Sequence, residues 1–123
     1  MLTAGIRRVD HAAVQAAVSA WLDGMAARPE VRRVIWYGSF VTGTPTPRSD
    51  VDLCVVVDHV PVQGEAGDAD RGRHTRGARY LPAAATPVPF DVAVLTAREH
   101  ETLSAWAPAW ADAIGRGRVL LAR

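Results

Sequence analysis

Two aspartates two residues apart, Asp50 and Asp52, open an apolar run, and a third, Asp91, sits between Phe90 and Val92 in another. On a β-strand, residues two apart point to the same face. Asp50 and Asp52 would then project together, with Cα atoms about 6.5 Å apart on the usual strand rise. If the strand holding Asp91 is a neighbour, its carboxylate can join them. Three converging carboxylates repel one another unless a cation neutralises them. Hard oxygen ligands select Mg²⁺ or Mn²⁺, and carboxylates so spaced can bracket a pair of ions about 3.5–4 Å apart. Upstream lies Gly38-Ser39-Phe40-Val41-Thr42-Gly43. Its small residues, on a turn that begins a short helix, would let backbone N–H groups approach phosphates. A metal-carboxylate cluster facing a phosphate cradle is equipment for nucleotidyl transfer.

The elements around these residues follow from periodicity. Val14, Ala17, Val18, Trp21, Leu22 and Met25 form an apolar stripe, so Asp10 to Ala27 is expected to be a helix with Asp10 as its cap and Pro29 beyond its end. Val31–Tyr37 is β-branched and aromatic, and Val51–Val57 is apolar apart from Asp52, which suits a central strand buried on both faces. Gly38 to Ser49 must turn. Gly64 to Gly72 reads as a polar loop, the spacing of Arg73, Arg76, Arg79 and Tyr80 as a short helix before Pro82, and Ala83 to Pro89 as a loop. Phe90 to Leu95 is expected to be a third strand. Thr96, with Glu99 three residues on, caps a helix over Ala97 to Ile114, stopped by Gly115 and Gly117, and Val119 to Leu121 closes the chain as a strand. The order α-β-turn-β-(α)-β-α-β implies a compact sheet with helices packed on it.

Composition removes several chemistries. The 123 residues suit one domain, expected over residues 1–123, and 14 basic against 13 acidic residues leave a net charge of +1. That balance argues against a general nucleic-acid coat. Every basic residue is Arg, and the absence of Lys excludes the phosphate-loop NTPase and any Schiff base. Cys54 is the sole cysteine, so neither an internal disulfide nor a multi-cysteine zinc site forms. It reads as a small core residue in a reducing, cytoplasmic setting. No signal peptide and no run long enough to span a bilayer is visible.

The spacing Gly38-Ser39, Gly43, then Ser49-Asp50-Val51-Asp52-Leu53 resembles the G-S-x(3)-G-x(5)-S-D-x-D-L signature of the DNA polymerase β-like nucleotidyltransferase superfamily, and in so short a chain it looks most like the minimal nucleotidyltransferase branch. Asp91 falls where that family has its third carboxylate, and Ile114 to Leu121 looks like its closing glycine turn and strand. The resemblance implies an α/β (α+β) fold, a small mixed sheet with flanking helices. It implies metal-dependent transfer of a nucleoside monophosphate, with ATP as the expected donor and release of pyrophosphate. Asp50, Asp52 and Asp91 would hold two Mg²⁺ or Mn²⁺ ions, and Asp91 would also take the acceptor's proton. Gly38 and Ser39 would bind the β and γ phosphates, with Gly43 also among the nucleotide-binding residues. Ser49 is either a phosphate-side group or a turn former. Many relatives carry an Arg inside the turn and another just after its second glycine. Here Thr42 and Thr46 stand in those places, with Arg48 close by.

In the minimal branch the resemblance also implies a partner, a helical HEPN-type toxin modified on a hydroxyl (AMPylation) by this chain as antitoxin. Two rivals stand beside it: an antitoxin that acts by occlusion without catalysis, favoured by the replaced arginines, and an enzyme for a small hydroxylated molecule. Trp106 and Trp110, four apart with Leu103 and Ile114 in the same stripe, read as a core face that can also anchor a partner. The run Arg71, Arg73, Arg76, Arg79 reads first as a solvated face and second as a docking site. Asp58 and His59 read as a turn, and His11, His74 and His100 have no ligand spacing.

Overall fold

A computed structural model describes residues 10–46, 49–59 and 76–123. The expectations placed on Arg48, the Gly64 to Gly72 loop, Arg71, Arg73 and His74 lie outside the described residues. The chain opens with helix α1 (His11–Ala26), whose Asp10 cap accepts from the Ala13 amide at 3.0 Å. Strand β1 (Val31–Tyr37) leads through the four-residue helix α2 (Ser39–Thr42) to β2 (Val51–Val57). Strand β3 (Phe90–Thr96), three short helices α3 (Ala97–Glu101), α4 (Leu103–Trp106) and α5 (Pro108–Gly115), and β4 (Arg118–Ala122) complete the order.

The four strands form one mixed sheet in the order β3-β2-β1-β4. β1 pairs antiparallel with β2 and with β4, while β2 and β3 run parallel. β2 is therefore interior, and all its residues but Asp52 are buried. One face packs under α1: Val14, Val18, Trp21 and Met25 meet Val34, Trp36, Leu53, Val55 and Val92. The other carries Ile35, Cys54, Val56 and Leu95 beneath Leu103 and Ile114. Sheet and helices match the expected fold class. Among the described residues no helix is long and apolar enough to cross a membrane.

Two expectations are corrected. The continuous helix over Ala97 to Ile114 is broken twice, at Thr102 and at Ala107, whose φ of −148° leaves the helical region. Pro108 has no amide hydrogen to continue the ladder and starts a new helix at its first turn instead. The capping box at Thr96 and Glu99 is present on the first of the three pieces. The solvated reading of the arginine run also fails at Arg76, which is 8% exposed. Its Nη1 donates to Glu99 Oε1 at 2.6 Å, the same oxygen that caps Thr96. The partner lies 23 residues away, so local spacing could not reveal it.

Candidate functional site

At one end of the sheet, β1 finishes where β2 and β3 begin. Register pairs Tyr37 with Asp52 and Asp52 with Asp91, placing the three in a row across adjacent strands on one face. The face is fixed by parity. Val51 and Leu53 are committed to the α1 core, so Asp52 must turn to the other side with Cys54 and Val56. Asp50 lies one residue before β2 and is exposed, not on the strand itself, yet its charge reaches Asp52.

Burial, followed by the charges of Asp91 and Asp50, pushes the Asp52 carboxyl up to about 6. Among the described residues no cation is paired with any of the three aspartates; the described ion pairs lie elsewhere. Nor are any three His, Cys, Asp or Glu side chains of the described residues already arranged to hold an ion. The donor chemistry nonetheless fits a hard divalent cation: Asp52 and Asp91 stand in register on β2 and β3, and among the described residues no cation offsets their repulsion.

Gly38 connects this row to the following turn. Its φ of 89° and ψ of −163° lie in a region essentially restricted to glycine, and a Cβ there would collide with Asp52 Oδ2. The main chain thus lies directly against the carboxylate. Gly43, at φ 85°, ends α2 in the left-handed conformation, its amide donating to the Ser39 carbonyl at 3.1 Å. Ser39 begins the short helix directly after Gly38. Ser49 serves the loop: its Oγ accepts from the Thr46 amide at 2.8 Å, and its own amide donates to the Thr46 carbonyl at 3.0 Å.

Tyr37 was not anticipated from sequence. Its place follows from strand parity and from standing directly before Gly38, but its partner is remote. Trp110 Nε1 donates to Tyr37 Oη at 3.0 Å across 73 residues. Burial pushes the Tyr37 hydroxyl up to about 12; the Trp110 hydrogen bond opposes that shift, and the charges of Cys54, Asp52 and Asp91 add to it. Tyr37, Trp110 and Asp91 border a groove of about 350 Å³ that continues down β3 to Leu95. Leu103 and Ile114 are buried, as the helical stripe predicts, while Trp106 is 42% exposed and packs edge-on against Trp110 with centroids 6.1 Å apart. Cys54 is fully buried in the core, as expected, and burial drives its thiol up to about 12.

A nucleotidyltransferase-domain family model matches residues 20–105 of the chain, which takes in α2 and all three aspartates. A crystal structure of a Sulfolobus solfataricus protein provisionally assigned as a nucleotidyltransferase superposes with a TM-score of 0.57 at 16% identity, covering 92% of this chain and 84% of that one. A toxin–antitoxin structure with AMP-PNP superposes with a TM-score of 0.48 at 16% identity, covering 94% of this chain and 75% of that one. The first likeness bears on the fold alone, and the second is too loose to carry a conclusion. No curated protein matches the chain.

Proposed function

The chain belongs to the nucleotidyltransferase-domain family, and on that premise we propose that it moves a nucleoside monophosphate, AMP from ATP, onto a hydroxyl of a partner protein. The observation that carries the reading is the row Asp52–Asp91 with the Gly38 main chain set against Asp52. Phosphate-side and metal-side groups then adjoin without any intervening side chain.

In this reading the residues 1–123 act as one domain. Gly38 and Ser39 receive the β and γ phosphates on main-chain amides at the start of α2, Gly43 gives the turn its shape, and Ser49 holds the following loop closed onto Thr46. Asp52 and Asp91, joined by Asp50, would hold Mg²⁺ or Mn²⁺, which when bound supplies charge neutralisation for the carboxylates and for the phosphates. Asp91 takes the proton of the acceptor hydroxyl as its oxygen attacks the α-phosphorus. The bond from that phosphorus to the bridging oxygen breaks, and pyrophosphate leaves. Much of the acceleration comes from holding donor and acceptor in line.

The acceptor assigned is a hydroxyl of a helical HEPN-type toxin, with this chain as its antitoxin in the cytoplasm. Trp106 supports a protein partner: a large aromatic 42% exposed, packed edge-on against a second Trp at the rim of the site groove, is the kind of anchor that interfaces use. A second reading, occlusion without transfer, is favoured by Thr42 and Thr46 in the turn. The test is to incubate chain, ATP, Mg²⁺ and the co-encoded helical partner and weigh the partner by mass spectrometry. Added nucleoside monophosphate with wild type and none with Asp52→Asn supports transfer. Neutralisation by Asp52→Asn equal to wild type, with no added mass on either, establishes occlusion instead.

A further inference from the structure

The sheet edge farthest from Asp91 is β4, last in the order β3-β2-β1-β4. β1 covers one side of it. Among the described residues no main-chain or side-chain group bonds to its outer side. An open edge of this kind is a template for a further strand. Register pairs Leu121 with Val34 and Val119 with Ile35, so Leu120 is the extra residue of a bulge. Leu120 and Leu121 therefore both lie against the α1 core, while Val119 turns to the opposite face and stays 54% exposed.

A hollow flanks β4 on each face, and the two differ in chemistry. The one beside Val119, about 270 Å³, has a floor of Ile35, Leu103 and Ile114, all buried and apolar. The one beside Leu120, about 360 Å³, lies against Gln15, Ser19 and Leu22 of α1 and is lined by Trp36. Trp36 is 4% exposed, and its indole N–H has no hydrogen-bond partner among the described residues. A buried donor left unpaired is costly. The Arg118 guanidinium stands 5.9 Å from the centre of the Trp36 ring. An unpaired N–H beside a cation fits a carboxylate. Successive side chains of an added strand point to opposite faces, so an acidic residue would enter this hollow and an apolar one the other.

Charge also decides the occupant. Arg116 and Arg118 lie at the start of the strand and Arg123 follows its end. Among the described residues the carboxylate paired with any of them is Asp112, on Arg116. Two copies of β4 set edge to edge would lay these arginines along one short ladder, like charge beside like. An acidic segment meets the same charges favourably.

We propose that the outer edge of β4 is a docking site for an extended acidic segment of a partner protein, which adds to the sheet as a fifth strand with carboxylate and apolar side chains alternating. The inference stands apart from the nucleotidyl-transfer reading, since none of its residues belongs to the aspartate row or the Gly38 turn.

The probe is a capped, fluorescein-labelled hexapeptide that alternates glutamate and valine, titrated into the full chain by fluorescence anisotropy. Wild type should bind it about tenfold or more tighter than the lysine–valine counterpart. Only alternate amides of an added strand face its neighbour. N-methylation of all the valine amides, or of all the glutamate amides, should therefore abolish binding in one case and spare it in the other. Arg118→Glu, at an exposed position, should invert the preference between the two peptides. Trp36→Phe, which keeps a ring in the core and removes the N–H, should weaken the glutamate peptide about threefold to tenfold and leave the lysine peptide unchanged. Should Trp36→Phe fail to fold, Arg118→Glu and the methylated peptides decide the matter. Absence of binding to wild type overturns the proposal, as does equal affinity for the two peptides. An affinity indifferent to either folded variant, or methylated peptides that both bind or both fail, overturns it as well. A dimer of the chain in sedimentation that Val119→Glu separates also overturns it and gives the edge to a second copy.

Discussion

Strand β2 carries an aspartate near its first residue and another just past its last, and the two are treated in opposite ways. Asp58, beyond the far end, lies 2.6 Å from Arg32 Nε, and that hydrogen bond holds its carboxyl below the usual range. Asp52 meets Asp91 in register, and burial with like charge lifts it to about 6. The same end as Asp58 is tied further by Arg123, which donates to the carbonyls of Ala26, Arg28 and Val31 at 2.6–2.9 Å. One end satisfies its charges within the chain, and at the other no cation among the described residues is paired with Asp52 or Asp91. Where a fold accepts such repulsion at a fixed place, stability has been given up for binding.

The sharpest way to break this contrast is at Gly38. Gly38→Ala forces a Cβ into Asp52 Oδ2 and asks for a backbone conformation that alanine rarely adopts. A loss of about 2 kcal/mol in urea unfolding is expected, together with loss of nucleotide binding measured by calorimetry. A Gly38→Ala chain with wild-type stability and affinity would show that the main chain is not pinned against the carboxylate.

A smaller effect is expected at Asp52 itself. Its folded pKa of about 6 exceeds the unfolded value of about 3.9, so the folded state holds the proton more tightly. The stability this contributes is fully present below about pH 4 and is lost as pH rises towards 6. Metal-free Asp52→Asn should therefore melt roughly 2–4 °C above wild type at pH 7.5, with the gain gone by pH 4. A lower Tm for Asp52→Asn at pH 7.5 would mean that Asp52 is structural.

The least change is expected at the other end. Asp58→Asn removes an exposed pair whose stabilising share is present above about pH 4 and lost as pH falls below it. Its Tm at pH 7.5 should stay within the scatter of replicate scans, and Arg32→Ala should behave the same way. A large drop in either would erase the distinction between the two ends.

Much of this arrangement is legible in the residues. The runs Val31–Tyr37 and Val51–Val57 are bounded by Gly, Pro and Asp and are dense in β-branched side chains, so both strands fall where periodicity puts them. The aspartates stand out because a charge in such a run is costly unless something pairs with it. What escaped local spacing is non-local. Trp110 reaches Tyr37 across 73 residues and Arg76 reaches Glu99 across 23. The strand parity of Asp50 assumed that β2 starts one residue earlier than it does. The break at Pro108 was legible, since proline interrupts a helical ladder wherever it stands, but the apolar spacing of Leu103, Trp106, Trp110 and Ile114 runs through it undisturbed.

The parallel pairing of β2 with β3 has a further consequence, for the order in which the molecule comes together. β1 and β2 are joined by a short antiparallel connection, whereas the 32 residues from 58 to 89 must be looped back before Asp91 can stand beside Asp52. Closing that length of unfolded chain costs about 3 kcal/mol in chain entropy, and contacts of such sequence separation form late. Gly38 and Asp52 can thus meet within a nascent hairpin, while the aspartate pair waits on the longer closure between β2 and β3. On this ordering a nascent chain acquires the turn at Gly38 before its aspartates are brought together.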